Sequence, residues 1–205
     1  MYKIGLTGGI CTGKSFVLEI LNKLGCFTVR ADEIAKEIIF SRNSEVMPKI
    51  IETFGEGIYD EKEGINKEEF SRILFENADK RDFINNIVHP LVIARRDELL
   101  KDIEETGVYR MFVYESALLV EAGTYKDFDK IIVVYASPAD QLQRLMTRDD
   151  IDEKEAEQKI KAQFPLSEKL KVANYTIDTS GSFQNAEAKT LETFHLMLKD
   201  LDINE

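Results

Sequence analysis

The residues whose types and spacing point to chemistry come early. In Gly8-Gly9-Ile10-Cys11-Thr12-Gly13-Lys14-Ser15, four residues separate Gly8 from Gly13, and Lys14 and Ser15 follow at once. That is the spacing of a phosphate-binding loop. Glycines at those places let the backbone curl with its N–H groups inward, an anion nest. A helix starting near Ser15 adds its positive N-terminal end. Lys14 then reaches the β- and γ-phosphates of a nucleotide, and the Ser15 hydroxyl ligates Mg²⁺.

Two further groups fit phosphoryl transfer. Asp32 falls just past a second strand, near the loop at the sheet's carboxyl edge. A carboxylate there accepts a proton from an acceptor hydroxyl and orients it, or else caps a helix beginning near Glu33. Arg144 and Arg148 lie four apart after Pro138, on one helix face, ahead of the acidic, flexible-looking run Asp149-Asp150-Ile151-Asp152-Glu153. A lid carrying both guanidiniums stabilises charge on the transferring group; the same residues also suit a solvated helix with Arg–Asp pairs. A guanine-nucleotide switch is a poor fit. Asn66-Lys67-Glu68-Glu69 ends in Glu and comes too early, and Asp178-Thr179-Ser180-Gly181 lies past the last strand.

The elements that position these groups alternate between strand and helix. Strands are expected at Tyr2–Thr7, Phe27–Arg30, Tyr109–Tyr114, Lys130–Tyr135 and Tyr175–Ile177. Helices are expected over Ser15–Leu24, through Ile34, Ile38 and Ile39, from Pro138, and over about 182–201 with Phe183, Leu191, Phe194, Leu198 and Leu201 on one stripe. The four prolines, Pro48, Pro90, Pro138 and Pro165, read as helix punctuation. Such alternation implies α/β architecture with a parallel sheet covered on both faces. Residues 41–108 read as purely helical, an insertion set at the ligand-binding edge of one domain spanning 1–205, with a lid at 144–163.

The chain has 205 residues, 43% of them hydrophobic, and a formal net charge of −11. That balance suits a soluble globular protein and argues against non-specific nucleic-acid binding, which runs on excess Lys and Arg. No apolar run approaches a membrane span. Two cysteines, Cys11 and Cys26, suggest neither a disulfide framework nor a metal site, so a cytoplasmic setting is expected.

Taken in order, Gly5-Leu6-Thr7-Gly8-Gly9-Ile10, Ala31-Asp32, His89-Pro90-Leu91, Leu118-Leu119-Val120-Glu121, Gln141-Leu142-x-Arg144, Arg148-Asp149 and Ala173-Asn174-Tyr175-x-Ile177-Asp178 resemble the dephospho-coenzyme A kinase family. The resemblance runs over about residues 2–181. It implies the three-layer α/β/α fold of P-loop NTPases with five parallel strands. It also implies transfer of the ATP γ-phosphoryl group, with Mg²⁺, to the ribose 3′-hydroxyl of dephospho-coenzyme A. By that likeness Cys11–Phe16 holds the ATP phosphates, Asp32 is the base or hydroxyl-orienting residue, and Arg144 with Arg148 belongs to the lid. His89 is then a substrate contact or a packed or helix-capping histidine, with Pro90 opening a helix. Leu119 and Glu121 line the acceptor cleft or support it. No nucleic-acid or membrane partner is implied, and a monomer is favoured.

The chain departs from the family pattern in places. Arg30 replaces the first acid of Asp-Ala-Asp, leaving the essential role to Asp32. Cys11 stands in the loop, where a helix N-terminus would lower its thiol pKa. Ala117 replaces a proline, and Glu115 is either an acid behind Mg²⁺ or an ordinary strand-end carboxylate.

Overall fold

A computed structural model of the protein describes residues 1–60, 62 and 64–203. Residues 61 and 63 of the expected insertion, and 204 and 205 of the expected domain, lie outside the described residues. The chain divides into two compact units, Met1–Val29 with the chain from Thr106 onward, and Arg30–Glu105. The second unit therefore begins at Arg30, ahead of the insertion boundary expected at 41.

In the first unit β1 (Tyr2–Gly8) is buried from Ile4 onward. It leads through the loop into α1 (Lys14–Lys23), then β2 (Phe27–Arg30). After the second unit come β5 (Met111–Glu115), β6 (Lys130–Tyr135), α6 (Pro138–Asp149), α7 (Glu153–Lys161), α8 (Leu166–Leu170), β7 (Tyr175–Asp178) and α9 (Phe183–Ile203). The five strands form one parallel sheet in the order β2-β5-β1-β6-β7. Ile4 lies opposite Val113 on one side and Lys130 on the other.

The sheet is covered on both faces. Ile4, Leu6, Met111, Val113, Ile132 and Val134 alternate with period two and face Val17, Leu18 and Leu21 of α1 and Met197 and Leu201 of α9. Each of these large side chains, fully buried, contributes roughly 1.5–3 kcal/mol relative to exposure. On the opposite face the intervening Gly5 meets Leu119, Ile131 and Phe128. A Cβ on Gly5 would come within 2.6 Å of Leu119 Cδ2, so only glycine admits that packing.

Of the expected α9 stripe, Leu201 is buried and Phe194 and Leu198 pack against the core, but Phe183 is 74% exposed, and Ala186, Thr190, Thr193 and Met197 are the helix's other buried residues. Phe183 lies in the helix's first turn, beyond the sheet, and its ring meets Phe16 edge-on with centroids 5.2 Å apart.

The second unit holds α2 (Ala31–Phe40), α3 (Met47–Phe54), β3 (Tyr59–Asp60), β4 (Gly64–Ile65), α4 (Lys67–Glu76) and most of α5 (Ala78–Thr106). The expectation of a purely helical 41–108 is thus corrected by a short antiparallel β3–β4 hairpin. Two-residue strands carry no periodicity to read. Phe70 packs between Phe40 and Phe54 at 5.7 and 5.1 Å, and Asn66 caps α4 by accepting from Glu69 N–H at 3.1 Å. Pro90 does not open a helix; it lies inside α5. Its ring forfeits the bond to the Asn86 carbonyl. The burial of Ile84, Val88, Val92 and Arg96, one per turn along a single face, outweighs that loss.

Candidate active site

The phosphate loop leaves the carboxyl end of β1, the middle strand, where chain connections depart to either side of the sheet. This is the position at which such folds bind ligands. A loop that turns its N–H groups inward must turn its carbonyls outward, and each carbonyl then needs a donor. Side-chain donors are present at Gly8, Gly9, Ile10 and Thr12. Lys14 Nζ donates to the Gly8 and Gly9 carbonyls at 3.2 and 2.8 Å, and the Thr12 hydroxyl adds a 2.9 Å bond to Gly9. Gln141 Nε2 donates to the Ile10 carbonyl at 2.7 Å, and the Thr179 hydroxyl to the Thr12 carbonyl at 2.7 Å. Gly13, with φ 83°, turns the chain into α1, and its carbonyl accepts the first helical N–H from Val17 at 3.1 Å.

Lys14 and Ser15 are the first two residues of α1, with Ser15 exposed. Cys11 adopts a left-handed backbone with φ 55°, uncommon for a residue with a Cβ. The expectation of a lowered Cys11 pKa is corrected: burial pushes its thiol up, and Asp149 adds to this against the opposing pull of Arg148, Lys14 and Arg144. Cys11 also stands three residues ahead of α1, short of the strongest part of the helix dipole.

Arg144 and Arg148 both lie on α6 but hold different partners. Arg144 donates from Nη1 to the Thr179 hydroxyl at 3.2 Å and from Nη2 to the Thr179 carbonyl at 2.7 Å. Thr179, just past β7, is 3% exposed and joins the arginine to the loop. Arg148 bonds Asp149 through Nε at 2.7 Å, and its guanidinium holds the Asp149 carboxyl below the usual range. The acidic run that looked flexible is capping structure. Asp150 ends α6 in a left-handed conformation, Asp152 caps α7 by accepting from Glu155 N–H at 2.8 Å, and Asp149 accepts from Lys159 at 3.3 Å. The loop after β7 is tied to the start of α6. Ser137 N–H donates to Ser180 Oγ at 2.8 Å, and Asp140 accepts from Gly181 N–H at 3.1 Å, with the Ser137 hydroxyl and that N–H lowering the Asp140 pKa.

Leu119 is fully buried beside Gly5. Glu121 accepts from Lys169 Nζ at 2.8 and 3.1 Å, and the same ammonium donates to the Ala117 carbonyl at 2.6 Å. The Lys169 side chain is 3% exposed, so this pair pins α8 to the segment after β5. Glu115 closes β5, buried, opposite Leu6 of β1.

Asp32 and His89 belong to the second unit. Asp32 is exposed in the first turn of α2, which follows β2 directly, and the N-cap position is Arg30, without a side-chain cap. The alternative of Asp32 as a helix cap is thereby set aside. His89 is half-buried in the middle of α5, so it caps no helix end either.

Sequence reasoning gave no role to Thr179, Gln163 or Lys169. Thr179 is 167 residues from its loop partner, a separation at which spacing carries no signal.

Among the described residues no cluster of three or more His, Cys, Asp or Glu forms a metal site. The exposed Ser15 hydroxyl at the foot of the loop fits Mg²⁺ of the kind held mostly by a nucleotide's phosphates and water. No described helix is long and apolar enough to cross a membrane.

Residues 2–185 match the dephospho-CoA kinase family. The chain is similar to the dephospho-CoA kinase of Aquifex aeolicus, 32% identical over 98% of this chain and 100% of that one. It is also similar to the dephospho-CoA kinase of Bacillus licheniformis, 41% identical over 91% and 92%. A solved dephospho-CoA kinase from Campylobacter jejuni superposes with TM-score 0.72 at 27% identity, covering 97% of this chain and 98% of that one. A phosphate loop whose Gly8, Gly9, Ile10 and Thr12 carbonyls all hold side-chain donors thus sits in a sequence matched along almost all its length, and the chain belongs to the dephospho-CoA kinase family.

Proposed function

We propose that this chain transfers the γ-phosphoryl group of ATP to the ribose 3′-hydroxyl of dephospho-CoA, giving CoA and ADP. The bond from the γ-phosphorus to the β–γ bridging oxygen breaks, and a bond from that phosphorus to the 3′-oxygen forms. The observation that carries this reading is the phosphate loop, with its carbonyls held outward beside Lys14 and Arg144.

In this reading Gly8, Gly9 and Cys11–Phe16 cradle the triphosphate, with Lys14 leaving its loop carbonyls for the β- and γ-oxygens. Ser15 would help hold Mg²⁺, which neutralises phosphate charge when bound. Arg144 and Arg148, on the 144–163 lid, balance charge on the transferring group. Asp32 aligns the 3′-hydroxyl and receives its proton. Exposure on the first turn after β2 supports that role. Residues 41–108 receive the acceptor, with His89 as one contact, and Glu121 shapes the cleft wall through Lys169. We place the reaction in a reducing cytoplasm, in keeping with the free thiols of Cys11 and Cys26.

The test is direct. Purified protein with ATP and Mg²⁺ is offered dephospho-CoA alongside a panel of nucleosides and nucleotides, and ADP release and product mass are followed. CoA is the expected product. Faster phosphorylation of a nucleoside, or nucleotide binding without transfer to any acceptor, overturns the reading.

A further inference from the structure

Both polar groups of the Ile10 backbone are taken by amide side chains from far along the chain. Ile10 N–H donates to Gln163 Oε1 at 2.6 Å, and the Ile10 carbonyl accepts from Gln141 Nε2 at 2.7 Å. Gln141 stands in the first half of α6, and Gln163 in the connection between α7 and α8. Gln141 lies three residues before the 144–163 lid and Gln163 ends it, so the two amides reach the loop from either end of that segment. Gly9 bears the mark of their approach: a Cβ there would lie 2.9 Å from Gln141 Nε2 and 3.3 Å from Gln163 Oε1. Gln is long, uncharged, and both donor and acceptor. Here one Gln uses its donor and the other its acceptor, each matched to the opposite group of one residue.

We propose that Gln141 and Gln163 are positioning residues for phosphoryl transfer. Together they latch the lid to Ile10 and hold the Gly8–Gly13 curl in its anion-binding shape. This rests on the kinase reading above. Neither amide touches the transferred group; both act through the backbone. The directions of the nest's N–H groups are set by the φ and ψ angles on either side of Ile10, and two bonds to one residue oppose rotation there. Gln141 also precedes Arg144 by one helical turn, so the same latch sets how the arginine-bearing helix meets the loop.

The polarity of the latch gives the test. Gln163→Glu keeps an acceptor against the Ile10 N–H, whereas Gln141→Glu sets a carboxylate against the Ile10 carbonyl. Both variants add the same charge beside the same residue, so their difference isolates hydrogen-bond direction. Calorimetric titration with ATP is expected to show Gln141→Glu weakening binding about tenfold more than Gln163→Glu. Exchange of the Ile10 amide is expected to quicken in Gln163→Met and stay slow in Gln163→Glu. Should Gln141→Glu fail to fold, Gln141→Met removes the donor without charge, with an expected loss of about fivefold, and its failure to weaken ATP binding overturns the latch. Equal weakening by the two Glu variants leaves only charge repulsion and overturns the latch. Wild-type binding of ATP with both variants unchanged also overturns it, while the kinase reading stands. A wild-type protein that does not bind ATP overturns both.

Discussion

Thr179→Val preserves the shape of a side chain and deletes one hydroxyl. That hydroxyl donates to the Thr12 carbonyl at 2.7 Å and accepts from Arg144 Nη1 at 3.2 Å, at a residue 3% exposed. Thr12 is equally buried, so its carbonyl has little water to turn to. A buried acceptor stripped of its partner costs about 1–3 kcal/mol. Arg144 is largely spared, because Nη2 keeps its 2.7 Å bond to the residue 179 carbonyl. A cost of about 2 kcal/mol follows, and in a chain of this size it lowers Tm by about 4–8 °C. The same loss lets the Thr12 peptide turn. If about 1.4 kcal/mol of it appears in nucleotide binding, ATP affinity falls tenfold. Thermal melting with and without ATP and Mg²⁺, together with calorimetric titration, reads both effects. A variant that melts with wild type and binds ATP equally well refutes the claim that outward-held carbonyls shape the nest. A lower Tm with unchanged affinity confines Thr179 to stability.

Three other outcomes are expected. Lys14→Ala lowers kcat by about 10³-fold and Asp32→Asn by about 10²-fold, because a loose transition state leans on charge more than on a base; steady-state kinetics showing the reverse order counts against this. Burial keeps the Cys11 thiol protonated at neutral pH, so iodoacetamide labels it slowly there and faster as pH rises past the ordinary thiol range; ATP slows labelling at every pH, and rapid labelling at pH 7 in saturating ATP removes Cys11 from the nucleotide site. Lys169→Met strands the Ala117 carbonyl and the Glu121 carboxylate; since the Glu121 side chain keeps 23% exposure, the loss is about 2–3 kcal/mol by denaturant unfolding. Adding Glu121→Gln recovers part of that loss, and a double variant no better than the single one shows that the two are not coupled.

What the sequence disclosed, and what it hid, follows from the range of the forces involved. β2 and β6 have their expected bounds because a buried strand writes its apolar run locally. The phosphate loop was legible for a similar reason: its glycines, lysine and serine serve one backbone shape within eight residues. Pro90 misled because proline's local cost was set against packing of a buried stripe along α5 that only tertiary structure supplies. Asp149–Glu153 looked mobile on charge alone, yet the Asp152 carboxylate caps α7 and Asp149 pairs with Arg148 and Lys159. Thr179 and Gln163 stayed hidden because each serves the loop across more than 150 residues of chain. Their types, a threonine after a strand and a glutamine after a helix, are too common to stand out.

The placement of β1 bears on how the protein comes apart. Its residues Tyr2–Leu6 are laddered to β5 and Ile4–Gly8 to β6, so neither edge faces solvent. Opening the strand at the loop's root means parting two ladders at once, whereas β7 is released by losing one. Hydrogen exchange from β1 is expected to need a larger opening than exchange from β7. The anion nest hangs from a strand held on both sides, so its root stays fixed while the side chains around it set its shape.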